Sequence, residues 1–175
     1  MAETERLFFA LWPEPQQQHD WADLARGLIP QGCGRLVPAQ NLHLTVLYLG
    51  EVLPQQRQLM EEVAAAIKLD SFILNLEGLG YWRKPQVLWL GVRETPQALA
   101  SLVQLLRQGA VDCGIKLDQR PYKPHLTLAR KVGREPERLD FPPREWRVGQ
   151  FVLVRSHLTP AGAEYEVVQR WLLRE

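Results

Sequence analysis

Two segments of the chain carry the same tripeptide inside an apolar stretch. Residues 41–50 read Asn-Leu-His-Leu-Thr-Val-Leu-Tyr-Leu-Gly, and residues 124–130 read Pro-His-Leu-Thr-Leu-Ala-Arg. Both segments are rich in residues that favour β-strands, and a proline or glycine marks where each begins or ends. The repeat therefore predicts two similar strands, each with one histidine and one threonine.

The spacing within each tripeptide determines which side chains share a face. Successive side chains of a strand point to opposite faces, so His43 lies on the same face as Thr45, and His125 on the same face as Thr127. The intervening leucines point into the opposite layer. Each strand is expected to present an imidazole beside a hydroxyl and to pack its other face in the core.

The segments around these strands predict a repeated order of strand, helix, loop and motif strand. In the second helix we expect Leu59, Val63 and Ile67 on the buried face, and the third helix is expected to begin at Thr95-Pro96 with a hydroxyl cap. Residues 134–147 are rich in proline and charge, and no element is predicted there. Apolar runs predict further strands over residues 7–12, 72–77, 86–92, 151–158 and 164–173, and helical spacing predicts helices over residues 14–28, 54–67 and 95–109.

The two halves of the chain are related by a nearly constant offset. Phe9 and Trp89 are 80 positions apart, and His43 and His125 are 82 apart. This predicts an α+β fold in which residues 1–175 form one bilobal unit of two pseudo-symmetric lobes, with mostly antiparallel sheets and helices on the outer faces.

Composition limits the class of protein. With 175 residues, 46% apolar, and a formal charge of +1, the chain fits one globular unit and not a protein that coats nucleic acid through bulk charge. Cys33 and Cys113 stand too far apart for a CxxC site, and we expect reduced thiols and a cytoplasmic protein. The first apolar run is too short to span a membrane, and we expect a monomer.

The paired imidazoles and hydroxyls suit phosphoryl chemistry. Displacing an alkoxide from a phosphodiester requires one proton to be removed from the nucleophile and one to be delivered to the leaving oxygen. A neutral and a protonated histidine can do both near neutral pH, and threonine hydroxyls can donate to the phosphate oxygens. Neither task requires a metal or a cofactor, and none is expected.

The remaining histidines and the missing motifs disfavour other kinds of site. His-Leu-Thr occurs a third time at His157, but Pro160 cuts that strand short, so we expect His157 to be structural or peripheral. His19 lies on a polar helix face and is expected to be solvated. The sequence has no HExxH, CxxC, P-loop or GxGxxG motif, which disfavours zinc, nucleotide and dinucleotide sites.

The two motifs and their flanks resemble the paired HxTx signature of the two-histidine phosphoesterase superfamily, and within it the bacterial RNA 2′,3′-cyclic phosphodiesterases, also called 2′-5′ RNA ligases. The resemblance implies a central cleft and hydrolysis of a terminal 2′,3′-cyclic phosphate to a 2′-phosphate without metal or ATP. It also implies a possible reverse 2′-5′ ligation. His43 and His125 would transfer protons, and Thr45, Thr127 and Arg130 would hold the phosphate.

Arg130 fits this role only under one structural condition. Strict alternation places it on the face opposite His125, so the strand must bulge before it. Which histidine is the acid stays open, because the motifs are nearly symmetric.

Features beyond the motifs are consistent with an RNA end as the partner. Basic residues cluster near the second motif, and Phe9, Trp82 and Tyr122 are candidates for stacking on a base. Two alternatives stay open: a phosphodiesterase for small cyclic nucleotides or 2′-5′ oligonucleotides, and a noncatalytic module that binds RNA ends. The basic residues are Arg120, Lys123, Arg130, Lys131 and Arg134.

Overall fold

The computed structural model describes residues 2–137 and 141–175. Within these residues the chain forms three α-helices, one short 3₁₀ turn at Ala39–Asn41 and nine strands. The helices are α1 (Pro15–Leu28), α2 (Pro54–Ala66) and α3 (Gln97–Asp112). The strands are β1 (Glu5–Leu11), β2 (Arg35–Leu36), β3 (Leu44–Val52), β4 (Phe72–Trp82), β5 (Val87–Val92), β6 (His125–Arg130), β7 (Arg144–Val148), β8 (Gln150–Thr159) and β9 (Gly162–Leu172).

The strands form one curled sheet whose two halves have the same build. Its order is β7-β4-β5-β6-β3-β1-β8-β9, with β2 also paired to β6, and every pair of named strands is antiparallel. The halves meet where Leu44 of β3 lies opposite Leu126 of β6. Because equivalent residues of the two motifs face each other, a pseudo-two-fold axis passes between them. The predicted bilobal α+β fold is confirmed, whereas its extent as a single domain over residues 1–175 stays a prediction.

The buried face of the sheet packs against the helices. Leu44, Val46, Leu126 and Leu128 are all at most 1% exposed, as alternation in the motif strands predicts. They join one core cluster with residues from all three helices. This burial directs the histidines and threonines of the motifs to the opposite face, where they are not covered by a helix.

Two details of the predicted helices are wrong. On α2 the buried residues are Met60 and Ala64, whereas Leu59 is 46% exposed. The helix places the small side chain of Ala64 on its buried face. Val63 packs directly against Gly109 of α3, where a larger residue would clash with it, so the two helices approach closely. On α3, Pro96 itself is the N-cap residue, which leaves Thr95 outside the helix without a capping bond.

Two strands are absent from the sequence prediction. β2 has only two residues, and β7 lies in the proline-rich stretch. In β7, Trp146 and Val148 are buried while the residues between and before them are more exposed, so it is an edge strand with one buried face. No helix within residues 2–137 and 141–175 is long and apolar enough to cross a membrane.

Candidate active site

A β-bulge in β6 brings Arg130 to the same face as the motif histidines. Leu88 of β5 pairs with Ala129, but the next residue, Trp89, pairs with Thr127, so β6 contains one extra residue at Leu128. Both Leu128 and Ala129 are buried, and the alternation resumes one residue late. The bulge that the sequence requires is therefore present, and Arg130 faces the cleft.

The uncovered face forms a cleft of about 680 Å³ along the seam between the two halves. Its walls also include Arg6 and Arg35, and no aspartate or glutamate is among the described lining residues. A nearly neutral protein thus concentrates positive charge in one groove. The structure brings together in this cleft all five residues predicted for proton transfer and phosphate binding: His43, Thr45, His125, Thr127 and Arg130.

Backbone carbonyls hold both imidazoles in the same tautomer. Nδ1 of His43 lies 2.7 Å from the carbonyl oxygen of Asn41, and Nδ1 of His125 lies 2.7 Å from that of Lys123. A carbonyl oxygen only accepts, so Nδ1 donates and carries the proton. In the neutral ring Nε2 then has a free lone pair. Nε2 of His43 lies 3.0 Å from the hydroxyl of Thr45, which donates to it.

The environment favours the neutral form of both histidines. Burial lowers the pKa of His43 to about 4, and the positive charges of Arg130 and His125 act in the same direction. Burial also lowers the pKa of His125, with Arg130 and Lys123 adding to the effect. A phosphate anion in the cleft would oppose these charges and favour an imidazolium ion. An anion bound in the cleft would thus promote protonation of the histidines.

Aromatic rings surround the histidines in each half. The Trp12 ring stacks on His43 with centroids 5.1 Å apart and planes inclined by 10°, and Phe8 and Tyr165 contact the same imidazole at 5.1 and 5.2 Å. On the other side, Trp82 meets His125 edge-on at 4.7 Å. Phe8, Trp12 and Tyr165 were missed by sequence reasoning, although the alternation along β1 places Phe8 on the face opposite Phe9.

The three residues predicted to stack on a base lie in different places. Phe9 is wrong for this role, because it is fully buried in the core against Phe151. Tyr122 packs against the core, and its hydroxyl donates to the carbonyl oxygen of Thr45 at 2.9 Å. Burial also raises the pKa of Tyr122. Because this hydrogen bond joins the two halves of the sheet, the Tyr122 ring is not free to stack on a base. Trp82 lies beside His125, and its stacking role stays a prediction.

The other candidates lie outside the cleft. His157 is exposed, with Nε2 3.5 Å from a carboxylate oxygen of Glu166. Arg120 is paired with Asp118, and the Nζ atom of Lys123 lies 4.4 Å from the centre of the Trp89 ring. Of the basic cluster near the second motif, only Arg130 is among the described residues that line the cleft. Across residues 2–137 and 141–175, no three histidine, cysteine or acidic side chains converge as potential metal ligands.

A sequence profile of the 2′-5′ RNA ligase superfamily matches residues 12–160. The chain belongs to this superfamily. Among its curated relatives, a protein of Escherichia coli strain K12 named RNA 2′,3′-cyclic phosphodiesterase is 32% identical, with all of both chains covered. One of the same name from Thermotoga maritima is 31% identical over 93% of this chain and 92% of its own length. The resemblance predicted from the motifs is confirmed.

Two solved structures are similar to this chain over nearly its whole length. Escherichia coli LigT in complex with 3′-AMP superposes with a TM-score of 0.89 at 32% identity, covering 99% of this chain and 100% of LigT. The protein TT0787 of Thermus thermophilus gives a TM-score of 0.79 at 30% identity, covering 97% of this chain and 98% of its own. Other structures of LigT contain phosphate and ATP. LigT thus binds a nucleoside monophosphate and inorganic phosphate.

Proposed function

We propose that this superfamily member is an RNA 2′,3′-cyclic phosphodiesterase, which hydrolyses a terminal 2′,3′-cyclic phosphate to a 2′-phosphate. The observation that carries this proposal is that the histidines of the two motifs have the same hydrogen bond and line the same cleft. Each histidine donates from Nδ1 to the carbonyl oxygen two residues before it and lines the shared cleft. Full-length relatives of the same name support the same reaction.

The two histidines divide the proton transfers. One neutral imidazole accepts a proton at Nε2 from water as the water oxygen bonds to phosphorus. The P–O3′ bond breaks on the opposite side, and the other histidine, protonated at Nε2, gives its proton to the leaving O3′. The products are a 2′-phosphate and a free 3′-hydroxyl. The pair as a whole ends with the same number of protons as it began, with the two roles exchanged.

The remaining predicted residues bind the phosphate during this exchange. The hydroxyl of Thr127 donates to its non-bridging oxygens, and the hydroxyl of Thr45 does so after turning away from Nε2 of His43. The guanidinium of Arg130 neutralises charge that builds up there. With the 5′-hydroxyl of an RNA end in place of water as the nucleophile, the same steps open the cyclic phosphate and form a 2′-5′ phosphodiester, with a proton again delivered to the leaving O3′. Ring strain favours both reactions, and hydrolysis outcompetes ligation because water is far more abundant than 5′-hydroxyl ends.

The reaction is tested by incubating the protein with a short RNA that ends in a 2′,3′-cyclic phosphate. The buffer contains excess EDTA and no ATP, and the position of the product phosphate is determined by NMR or by sensitivity to defined phosphatases. A 2′-phosphate is expected. Turnover only after addition of a divalent metal would contradict the two-histidine mechanism, and tight binding without turnover would instead indicate a noncatalytic module.

The lowered pKa values predict an acid-shifted pH profile of kcat/KM. One histidine must be neutral and the other protonated, so the bell-shaped profile of the free enzyme is expected to have its maximum below about pH 6.5, the ordinary pKa of histidine. Arg130 contributes to lowering both pKa values. In Arg130→Gln the residual activity is therefore expected to peak at a higher pH.

The matched control for this shift is Arg147→Gln. Arg147 is exposed on the edge strand β7 and does not line the cleft. Its substitution removes the same charge, and the pH profile of this variant is expected to coincide with that of the unmodified protein. A profile of Arg130→Gln that falls in height without moving along the pH axis would contradict the electrostatic explanation.

We further propose that RNA ends are the natural partners of a cytoplasmic, monomeric protein. The location is supported by Cys33 and Cys113, which are both free thiols. Light scattering of the purified protein tests the monomer, for which a mass near 20.2 kDa is expected.

A further inference from the structure

Two arginines lie side by side at one end of the cleft. β2 pairs with β6 so that Arg35 stands directly opposite Arg130. Directly paired residues of antiparallel strands point to the same face, with Cα atoms about 4.5–5.5 Å apart. Both side chains line the cleft, and both residues are exposed. The short strand β2 therefore adds a second guanidinium beside the one that the motif supplies.

These two charges are not neutralised by the protein. Among the described residues, no carboxylate lies within 4.0 Å of either guanidinium. Like charges directly opposite on paired strands destabilise a sheet. By contrast, Arg57 and Arg155 are both neutralised by the protein, because each forms a salt bridge with Glu5. An anion bound at this end of the cleft would neutralise the pair.

One phosphate does not account for both arginines. The non-bridging oxygens of the reacting phosphate already have donors in Thr45, Thr127 and Arg130. Arg35 lies on β2, outside both motif strands. The adjoining residues Leu36, Val37 and Pro38 also line the cleft and offer an apolar wall for a sugar or base. This end of the cleft thus has room and chemistry for a second nucleotide unit.

We propose that Arg35 binds the internucleotide phosphodiester on the 5′ side of the terminal nucleotide. The inference rests on the proposed function and specifies its substrate class as oligoribonucleotide ends, in preference to mononucleoside cyclic phosphates. Arg130 holds the reacting phosphate, and Arg35 holds the next phosphate along the strand. Arg35 is a specificity residue, because it does not contact the reacting atoms.

The test compares three substrates. The first is adenosine 2′,3′-cyclic phosphate, which has only the reacting phosphate. The second is the dinucleotide ApA with a terminal 2′,3′-cyclic phosphate, and the third is the same dinucleotide with an uncharged methylphosphonate linkage. The unmodified protein is expected to prefer the charged dinucleotide over the uncharged one by about tenfold or more in kcat/KM, the effect of one charge-assisted contact.

The variant Arg35→Gln is expected to lose this preference and to leave hydrolysis of the mononucleotide unchanged. Arg35→Lys keeps the charge and is expected to retain part of the preference, whereas the surface control Arg147→Gln is expected to retain all of it. Equal losses on all three substrates would place Arg35 on the reacting phosphate and overturn the proposal. An undiminished preference in Arg35→Gln would overturn it as well.

Binding measurements separate this proposal from the proposed function. The Kd values of the two dinucleotides that end in a 2′-phosphate, with charged and uncharged linkages, report the same contact without turnover. If the unmodified protein hydrolyses none of the substrates, the proposed function fails. The inference on Arg35 then stands if the difference in Kd is lost in Arg35→Gln, and it fails if that difference is absent or unaffected.

Discussion

Alanine in place of either His43 or His125 is expected to lower kcat for a cyclic-phosphate RNA by a factor of about 10²–10⁴, the usual contribution of one general acid or base. Each variant removes one of the two Nε2 atoms of the cleft, so one proton transfer loses its partner. The double variant is expected to be little worse than either single one, because the two groups act as a unit. Rates are measured under single-turnover conditions, so that product release does not mask the effect.

The third copy of the tripeptide provides the matched control. His157→Ala removes a histidine from the same His-Leu-Thr context, but that imidazole is exposed and lies beside Glu166, outside the cleft. Its kcat is expected to stay within about twofold of the unmodified protein, as for other surface substitutions away from the site. Circular dichroism and thermal unfolding verify that all three variants are folded. A folded His43→Ala or His125→Ala variant with normal turnover would refute the mechanism.

Leu44→Ala is expected to lower the free energy of unfolding by about 2–5 kcal/mol, the range for truncating a large buried aliphatic side chain. Leu44 is fully buried, and it forms the point where β3 pairs with β6. Because Leu44 lies between His43 and Thr45, the cavity is also expected to loosen both side chains and to reduce activity. Leu126→Ala, at the equivalent position of the other half, is expected to have a similar effect.

The control for this pair is Leu172→Ala. Leu172 is 81% exposed at the end of β9. Its truncation is expected to change the free energy of unfolding by less than about 0.5 kcal/mol. Urea unfolding at equilibrium measures all three variants. A Leu126→Ala variant that remains as stable as the unmodified protein would show that the two halves do not contribute equally to stability at their seam.

The parts of the fold that follow from the sequence are those with a clear period. Alternation in the motif strands correctly predicts the burial of Leu44 and Leu126, and the helical spacing over residues 95–109 correctly predicts a third helix. β2 could not be predicted, because two residues contain no period and the strand exists only through its pairing with β6. β7 was concealed by the prolines and charges around Trp146, which are normal for an edge strand.

In the candidate site too, the features that could be predicted are those set by the local pattern of a single strand. The face shared by His43 and Thr45 is a local property of a strand, and so is the need for a bulge before Arg130. The contacts of Arg35 and Trp12 depend on how separate segments meet, which no local pattern records. Phe9 is wrong as a stacking candidate, because it lies on the face of β1 that packs in the main core against Phe151, whereas Phe8 on the other face contacts His43.

The two-fold relation between the motifs has a consequence for regiochemistry. A catalytic pair related by symmetry presents the same tautomer from both sides of the phosphorus, so the pair by itself does not distinguish the 2′-oxygen from the 3′-oxygen as the leaving group. The choice of isomer therefore has to come from the parts of the cleft that lack a counterpart in the other half. These are the arginines contributed by β2 and the β6 bulge, and the tight turn that joins β8 to β9, because β4 and β7, which take the corresponding places in the other half, are not joined by such a turn.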